Sequence, residues 1–270
     1  MLKKDIYWYL RFVQRLGLNV AATKNAPHFL HVPKTGGTYI GQLDSADTPV
    51  IWPVKYLGHK VVINSKDEFD FEFPPKGYSK NKYLYSKALK DKLVFSVVRN
   101  PFDWMVSYIS FQGGWNKDYV KTSHYDYELC RDKNKFDYAV KTILERDDGK
   151  WPSKRFMYFQ LFDSNAFLVP SWFMRNETLD SDLEYFAKSN DYKYNQKDRQ
   201  KVGNRKDYRS YYTDETRELV EKAWSRELAM FGYNFDGYEK DHMLFNKRLT
   251  LEEKLKYRYH YRNDSLIIKD

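Results

Sequence analysis

The chain holds a single cysteine, Cys130, so it forms no intrachain disulfide and implies no oxidising compartment. Cys130 stands in Glu128-Leu129-Cys130-Arg131 with no recognisable catalytic partner, which marks it as a structural or incidental thiol. No stretch reaches the ~20 apolar residues that cross a bilayer. The opening run Met1-Leu2-Lys3-Lys4-Asp5-Ile6-Tyr7-Trp8-Tyr9-Leu10-Arg11 lacks the apolar core and small-residue cleavage site of a signal peptide. Internal repeats, low-complexity linkers and a convincing metal-ligand cluster are also missing, and so is the Walker A order of a phosphate-loop kinase or ATPase. These absences predict a cytoplasmic protein with no membrane span and no metal.

What is present is a globular composition: 42% hydrophobic and 31% charged residues in 270 positions, enough for one large domain. Lys and Arg total 46 against 37 Asp and Glu, a net charge of +9. That surplus favours anionic partners: nucleic acid, phosphorylated cofactors, acidic glycans or anionic lipid. The positive residues are spread along the chain with acids interleaved, so no nucleic-acid module stands out and no nucleic-acid partner is expected. The 24 Tyr fit half-buried positions with a wet hydroxyl.

Hydrophobic patterning predicts an α/β fold: a central parallel β-sheet with a phosphate-binding strand-loop-helix, flanked by helices. A helix is expected over 3–16. The apolar run His28-Phe29-Leu30-His31-Val32 reads as a buried strand. It leads into the loop Pro33-Lys34-Thr35-Gly36-Gly37-Thr38, and a helix begins near Tyr39. Residues 52–57 and 60–63 are β-prone, and 69–82 reads as loop. Leu93-Val94-Phe95-Ser96-Val97-Val98 has the composition of a central parallel strand, and Pro101 fits the first turn of the helix that follows. That helix would bury Phe102, Met105, Val106 and Ile109. Phe136, Ala139, Val140, Ile143 and Leu144 share a helical face, and Trp172-Phe173-Met174-Arg175 reads as a strand. Asp180 is expected to cap a helix carrying Leu183 and Phe186. One long helix over 213–231 carries Val220, Ala223, Trp224, Leu228 and Phe231, and Gly232 ends it. Thr250-Leu251-Glu252-Glu253 matches a capping box. The whole of 1–270 reads as a single domain, with its core at about 28–235 and peripheral terminal helices.

Chemistry concentrates at two strand ends. Gly36 and Gly37 allow backbone N–H groups to converge on an anion at a helix start, Lys34 adds a mobile cation, and Thr35 and Thr38 add hydroxyls. An ordinary strand-to-helix turn would look similar. Arg99 ends the second strand, where open α/β sheets bind ligands, and Ser107 lies two helical turns on. An Arg fork and a hydroxyl can share one phosphate. Taken singly, a structural salt bridge accounts for Arg99 and an exposed helix position for Ser107.

Together the two segments have a family likeness. His31-Val32-Pro33-Lys34-Thr35-Gly36-Gly37-Thr38 resembles the 5′-phosphosulfate loop of sulfotransferases that use 3′-phosphoadenosine 5′-phosphosulfate (PAPS). Val98-Arg99-Asn100-Pro101-Phe102-Asp103-Trp104-Met105-Val106-Ser107-Tyr108 resembles their 3′-phosphate motif, with the Arg-to-Ser spacing kept. The subtype is similar to the carbohydrate sulfotransferases, the heparan and chondroitin group. Most members carry Arg where this chain has Trp104, read here as a tolerated surface change. Phe173-Met174-Arg175-Asn176-Glu177-Thr178-Leu179-Asp180-Ser181-Asp182-Leu183 is similar to the family's R-x-E-x-L-x-x-D segment. Asn204-Arg205-Lys206-Asp207-Tyr208-Arg209-Ser210-Tyr211-Tyr212-Thr213 resembles its C-terminal signature.

The resemblance implies an enzyme that moves a sulfuryl group from PAPS to a hydroxyl or amine of a carbohydrate or small-molecule acceptor. It implies that Lys34 contacts the transferring group, and that Thr35, Gly36, Gly37, Thr38 and Tyr39 hold the 5′-phosphate. Arg99 and Ser107 would hold the 3′-phosphate, and Arg205 and Lys206 would close over the cofactor. His59, in Tyr56-Leu57-Gly58-His59-Lys60, takes the place where many members carry the catalytic base; some use Glu instead. An imidazole of reference pKa near ~6.5 suits proton removal near neutrality. Relatives often sit in the Golgi behind an anchor, so a bacterial or viral cytosol is the expected setting. Alternatives are a phosphate-loop kinase-like transferase, and an inactive relative that binds anions or nucleic acid.

Overall fold

The computed structural model describes residues 26–37, 39–40, 55–58, 61–63, 83–112, 132–145, 157–163, 165–192, 206–260 and 265–268. The helix expected over 3–16 and the loop over 69–82 lie outside them. In chain order the first strands are β1 (His28–Leu30), β2 (Lys55–Gly58), β3 (Val61–Ile63), β4 (Tyr83–Tyr85) and β5 (Val94–Val98). Helices α1 (Pro101–Gln112) and α2 (Lys133–Glu145) precede β6 (Trp172–Arg175). Then come α3 (Leu179–Ser189), α4 (Asp214–Ala223), α5 (Ser225–Phe231) and the small hairpin β7 (Tyr233–Asn234) and β8 (Gly237–Tyr238). Helix α6 (Leu251–Lys256) and the antiparallel pair β9 (Tyr257–His260) and β10 (Ser265–Ile268) follow.

The main sheet is parallel, in the order β2-β1-β5-β6, while β3 and β4 form a separate parallel pair. β5 is central because Val94-Phe95-Ser96-Val97-Val98 is buried throughout, and its one polar side chain is satisfied: Ser96 Oγ donates to the Leu30 carbonyl at 2.7 Å. Side chains alternate between faces. Phe29, Phe95, Val97, Trp172 and Met174 pack with Ile40 and with Leu183 and Phe186 of α3. On the other face Val98 and Phe173 join α1, α2, α4 and α5 in the larger core. Each large side chain fully withdrawn from water contributes roughly 1.5–3 kcal/mol. Near the start of the C-terminal segment, Phe245 bridges to Phe173 and Leu249 N–H donates to the Ser171 carbonyl at 2.8 Å, which covers part of the edge of β6.

Several local expectations hold. The buried face of α2 is Phe136, Ala139, Val140, Ile143 and Leu144. Thr250 and Glu253 form a reciprocal capping box at α6, and Gly232, at φ +62°, ends α5. Three expectations change. The helix expected over 213–231 is two helices, because Trp224 leaves helical geometry at φ −118° while its ring is fully buried. Thr178, not Asp180, occupies the cap of α3; Asp180 lies in the first turn, where a carboxylate suits the positive end of the helix dipole. Trp104 is no surface residue: it is completely buried. No helix among the described residues is long and apolar enough to cross a membrane.

Candidate anion-binding site

The chain runs from β1 to β2 on one side and later to β5 on the other, so the strand order reverses at β1. Crevices beyond the carboxyl ends of such strands are where open α/β sheets bind ligands. Both sequence motifs arrive there. The loop after β1 and the end of β5 touch directly: Arg99 Nη1 donates to the Lys34 carbonyl at 3.0 Å. Arg99 Nε donates to Asp103 Oδ2 at 2.7 Å, a pair with side chains 9% and 7% exposed.

Four carbonyls of this segment are turned onto donors. Thr35 Oγ1 donates to the Val32 carbonyl at 2.7 Å, Trp104 Nε1 to the Pro33 carbonyl at 2.8 Å, and Arg99 to that of Lys34. The Gly36 carbonyl accepts from Tyr39 N–H at 2.9 Å and Ile40 N–H at 3.2 Å as the next helix starts. Gly36 and Gly37 donate their N–H groups to no other described residue. With the carbonyls of Val32, Pro33, Lys34 and Gly36 engaged, the N–H groups of Gly36 and Gly37 supply donors of the polarity an anion requires.

The backbone is held in an unusual shape. Lys34 has φ +67°, a left-handed conformation that costs a non-glycine residue of the order of 1 kcal/mol or more, and the carbonyl bonds on either side of its Cα keep it there. Gly36, at φ +99°, also has no space for a side chain: a Cβ would lie 2.9 Å from Asn176 Nδ2 and from Leu179 Cδ2. At Gly37 a Cβ would lie 2.0 Å from His31 Nε2. His31 therefore packs under the loop, while His28 Nδ1 lies 2.9 Å from the Ala26 carbonyl.

Helix α1 forms the wall. Asp103, Ser107 and Phe111 follow one another at four-residue spacing and share a face. Ser107 is buried at 3% exposure, and the Lys34 ammonium lies 4.1 Å from the centroid of the Phe111 ring. Lys34, Arg99 and Ser107 are thus brought to one helix face and one strand end. Thr35 turns its hydroxyl inward to Val32, and Tyr39 packs against the sheet. Lys206 is exposed and donates its N–H to Tyr211 Oη at 3.2 Å. Thr38, His59 and Arg205 lie outside the described residues.

Behind the site sits a polar network that sequence reasoning missed. Glu177, an exposed residue whose carboxyl is turned into the protein, accepts from Asn100 N–H at 2.7 Å and from the Tyr233 hydroxyl at 2.9 Å. Burial pushes its carboxyl above the usual range, against the opposing pull of the Asn100 and Glu177 backbone N–H groups. Asn100 Nδ2 donates to the Asn234 carbonyl at 2.8 Å, pinning the β7–β8 hairpin over the start of α1. Tyr158 accepts from Arg99 N–H at 3.2 Å and donates to the Arg99 carbonyl. Burial holds its phenol well above its ordinary value, so it remains a donor. The Tyr208 hydroxyl, pushed up to about 12 by burial, donates to the Phe235 carbonyl at 2.6 Å. The R-x-E segment is thereby a brace: Glu177 supports the start of α1, and Arg175 lies 3.6 Å over the Phe245 ring.

One signal for Trp104 was present. α1 is apolar around most of its circumference, and a helix of that kind is buried on all sides. No family model, curated protein or solved structure matches this chain.

Proposed function

We propose that this protein is a PAPS-dependent sulfotransferase of the phosphate-loop type, acting on a hydroxyl or amine of a carbohydrate or small-molecule acceptor. The observation that carries this reading is the direct bond between Arg99 and the Lys34 carbonyl, which joins the two segments that resemble the family's 5′- and 3′-phosphate motifs. The loop supports it, since a phosphosulfate would meet the Gly36 and Gly37 N–H groups and a lysine, with the carbonyls of Val32, Pro33, Lys34 and Gly36 engaged elsewhere.

Bound PAPS supplies the activated sulfuryl group; its sulfur–oxygen bond to the 5′-phosphate breaks as the acceptor atom bonds to sulfur. Lys34 stabilises the charge that builds on the leaving phosphate. Arg99 and Ser107 read the 3′-phosphate, and the Asp103 and Lys34 carbonyl contacts of Arg99 fix the direction of its planar fork. Gly36 and Gly37 offer N–H groups to the 5′-phosphate. His59 is the base that takes the acceptor proton.

Calorimetric titration with adenosine 3′,5′-bisphosphate beside ATP tests the reading. Tight binding of the bisphosphate with weak binding of ATP is expected; no bisphosphate binding by the folded protein would sink it.

A further inference from the structure

We infer that Trp104 is a positioning residue that sets the direction in which Lys34 leaves the loop. This rests on the sulfotransferase reading above, and it assigns a role at the position where most members of the resembled family carry an arginine.

The geometry around Lys34 supplies the argument. Two peptide planes meet at its Cα. The plane before it carries the Pro33 carbonyl, bound by the Trp104 indole at 2.8 Å; the plane after it carries the Lys34 carbonyl, bound by Arg99 at 3.0 Å. Rotation about the Lys34 N–Cα bond is rotation of its Cα against the first plane, and rotation about Cα–C moves it against the second. Clamping both planes holds φ at +67°, which the residue would otherwise leave. One clamp is the charged Arg99. The other is neutral, so Trp104 fixes the loop without adding a cation beside the anion.

Trp104 is itself immobilised. It is fully buried, stacked on Tyr108 at 4.8 Å between centroids, and met edge-on by Trp224 at 5.8 Å. A ring held in this way cannot swing out to a ligand, so it acts through the loop and touches no reacting atom. Trp224 is also the residue at which α4 gives way to α5, and the indole pair thus ties the loop to that helix junction.

The test is Trp104→Phe, which keeps an aromatic ring and removes the N–H. One net hydrogen bond corresponds to a loss of about 5- to 10-fold in affinity. That loss is expected for adenosine 3′,5′-bisphosphate, which uses the loop, with unchanged affinity for adenosine 3′-phosphate, which does not. Trp224→Phe is the control: it alters the packing of Trp104 but not its N–H, and is expected to lower the unfolding midpoint while preserving the ratio of the two affinities. Undiminished bisphosphate binding by Trp104→Phe overturns the inference, and so does an equal loss for both nucleotides. A wild-type protein that binds neither nucleotide overturns the sulfotransferase reading and this inference with it.

Discussion

Arg99 holds Asp103 at 2.7 Å with one nitrogen and the Lys34 carbonyl at 3.0 Å with another. One buried side chain therefore ties the end of β5, the first turns of α1 and the loop after β1. Arg99→Ala removes the guanidinium paired with Asp103, and breaking a buried pair costs about 3–5 kcal/mol. The double variant Arg99→Ala/Asp103→Ala should cost less than the sum of the singles. Urea unfolding of the four proteins checks this; additive costs would show the pair to be uncoupled.

Gly37 and His31 form a second testable pair. Gly37→Ala drives a methyl group into the imidazole, and overpacking of this kind costs roughly 1–3 kcal/mol. Removing the ring with His31→Ala should restore part of that loss. Thermal melts of both single variants and the double variant decide it, and a double variant as unstable as the summed singles would mean that the ring is not the obstacle.

Glu177 should give stability a pH dependence of definite sign. Its folded pKa is raised, chiefly by burial, above its ordinary 4.5, so the folded protein binds this proton more tightly than the unfolded chain does. The group favours folding most below 4.5, and the contribution is lost as pH rises through the raised folded value. Glu177→Gln removes that fall. Denaturant unfolding of the two proteins from about pH 4.5 to 7 should show the variant gaining on the wild type as pH rises; a constant difference would exclude ionisation of Glu177 as the cause.

Lys34→Met should separate chemistry from folding. The half-buried ammonium makes a ring contact with Phe111 worth about 0.5–1 kcal/mol, so stability should change little. Loss of one preplaced donor to a leaving group costs ~10²–10³ in rate. The measurement is release of adenosine 3′,5′-bisphosphate from PAPS with water as acceptor. Release at the wild-type rate would remove Lys34 from the mechanism.

The strands β1, β5 and β6, the start of α1 and the buried stripe of α2 were legible because they depend on local periodicity and punctuation. Pro101 and the Thr250 capping box act within a turn or two of themselves. The break at Trp224 was not legible: 213–231 is a sound amphipathic helix until the packing of the ring is known. The same is true of the Glu177 brace, whose partners Asn100 and Tyr233 lie 77 and 56 residues away in the chain. Lys34 and Arg99 could be singled out by their motifs, but their contact spans 65 residues and belongs to the sheet.

That span governs how the protein reaches its native state. β1 must find β5 across a long intervening segment, and such closures come late because their entropy is spent before their contacts form. The bond from Ser96 to the Leu30 carbonyl, 66 residues apart, and the clamps on Pro33 and Lys34 all await that closure. A chain that has not yet emerged past Trp104 has no cradle to offer. An anion held there stabilises only the finished sheet, so it acts as a brake on unfolding and not as a template for folding.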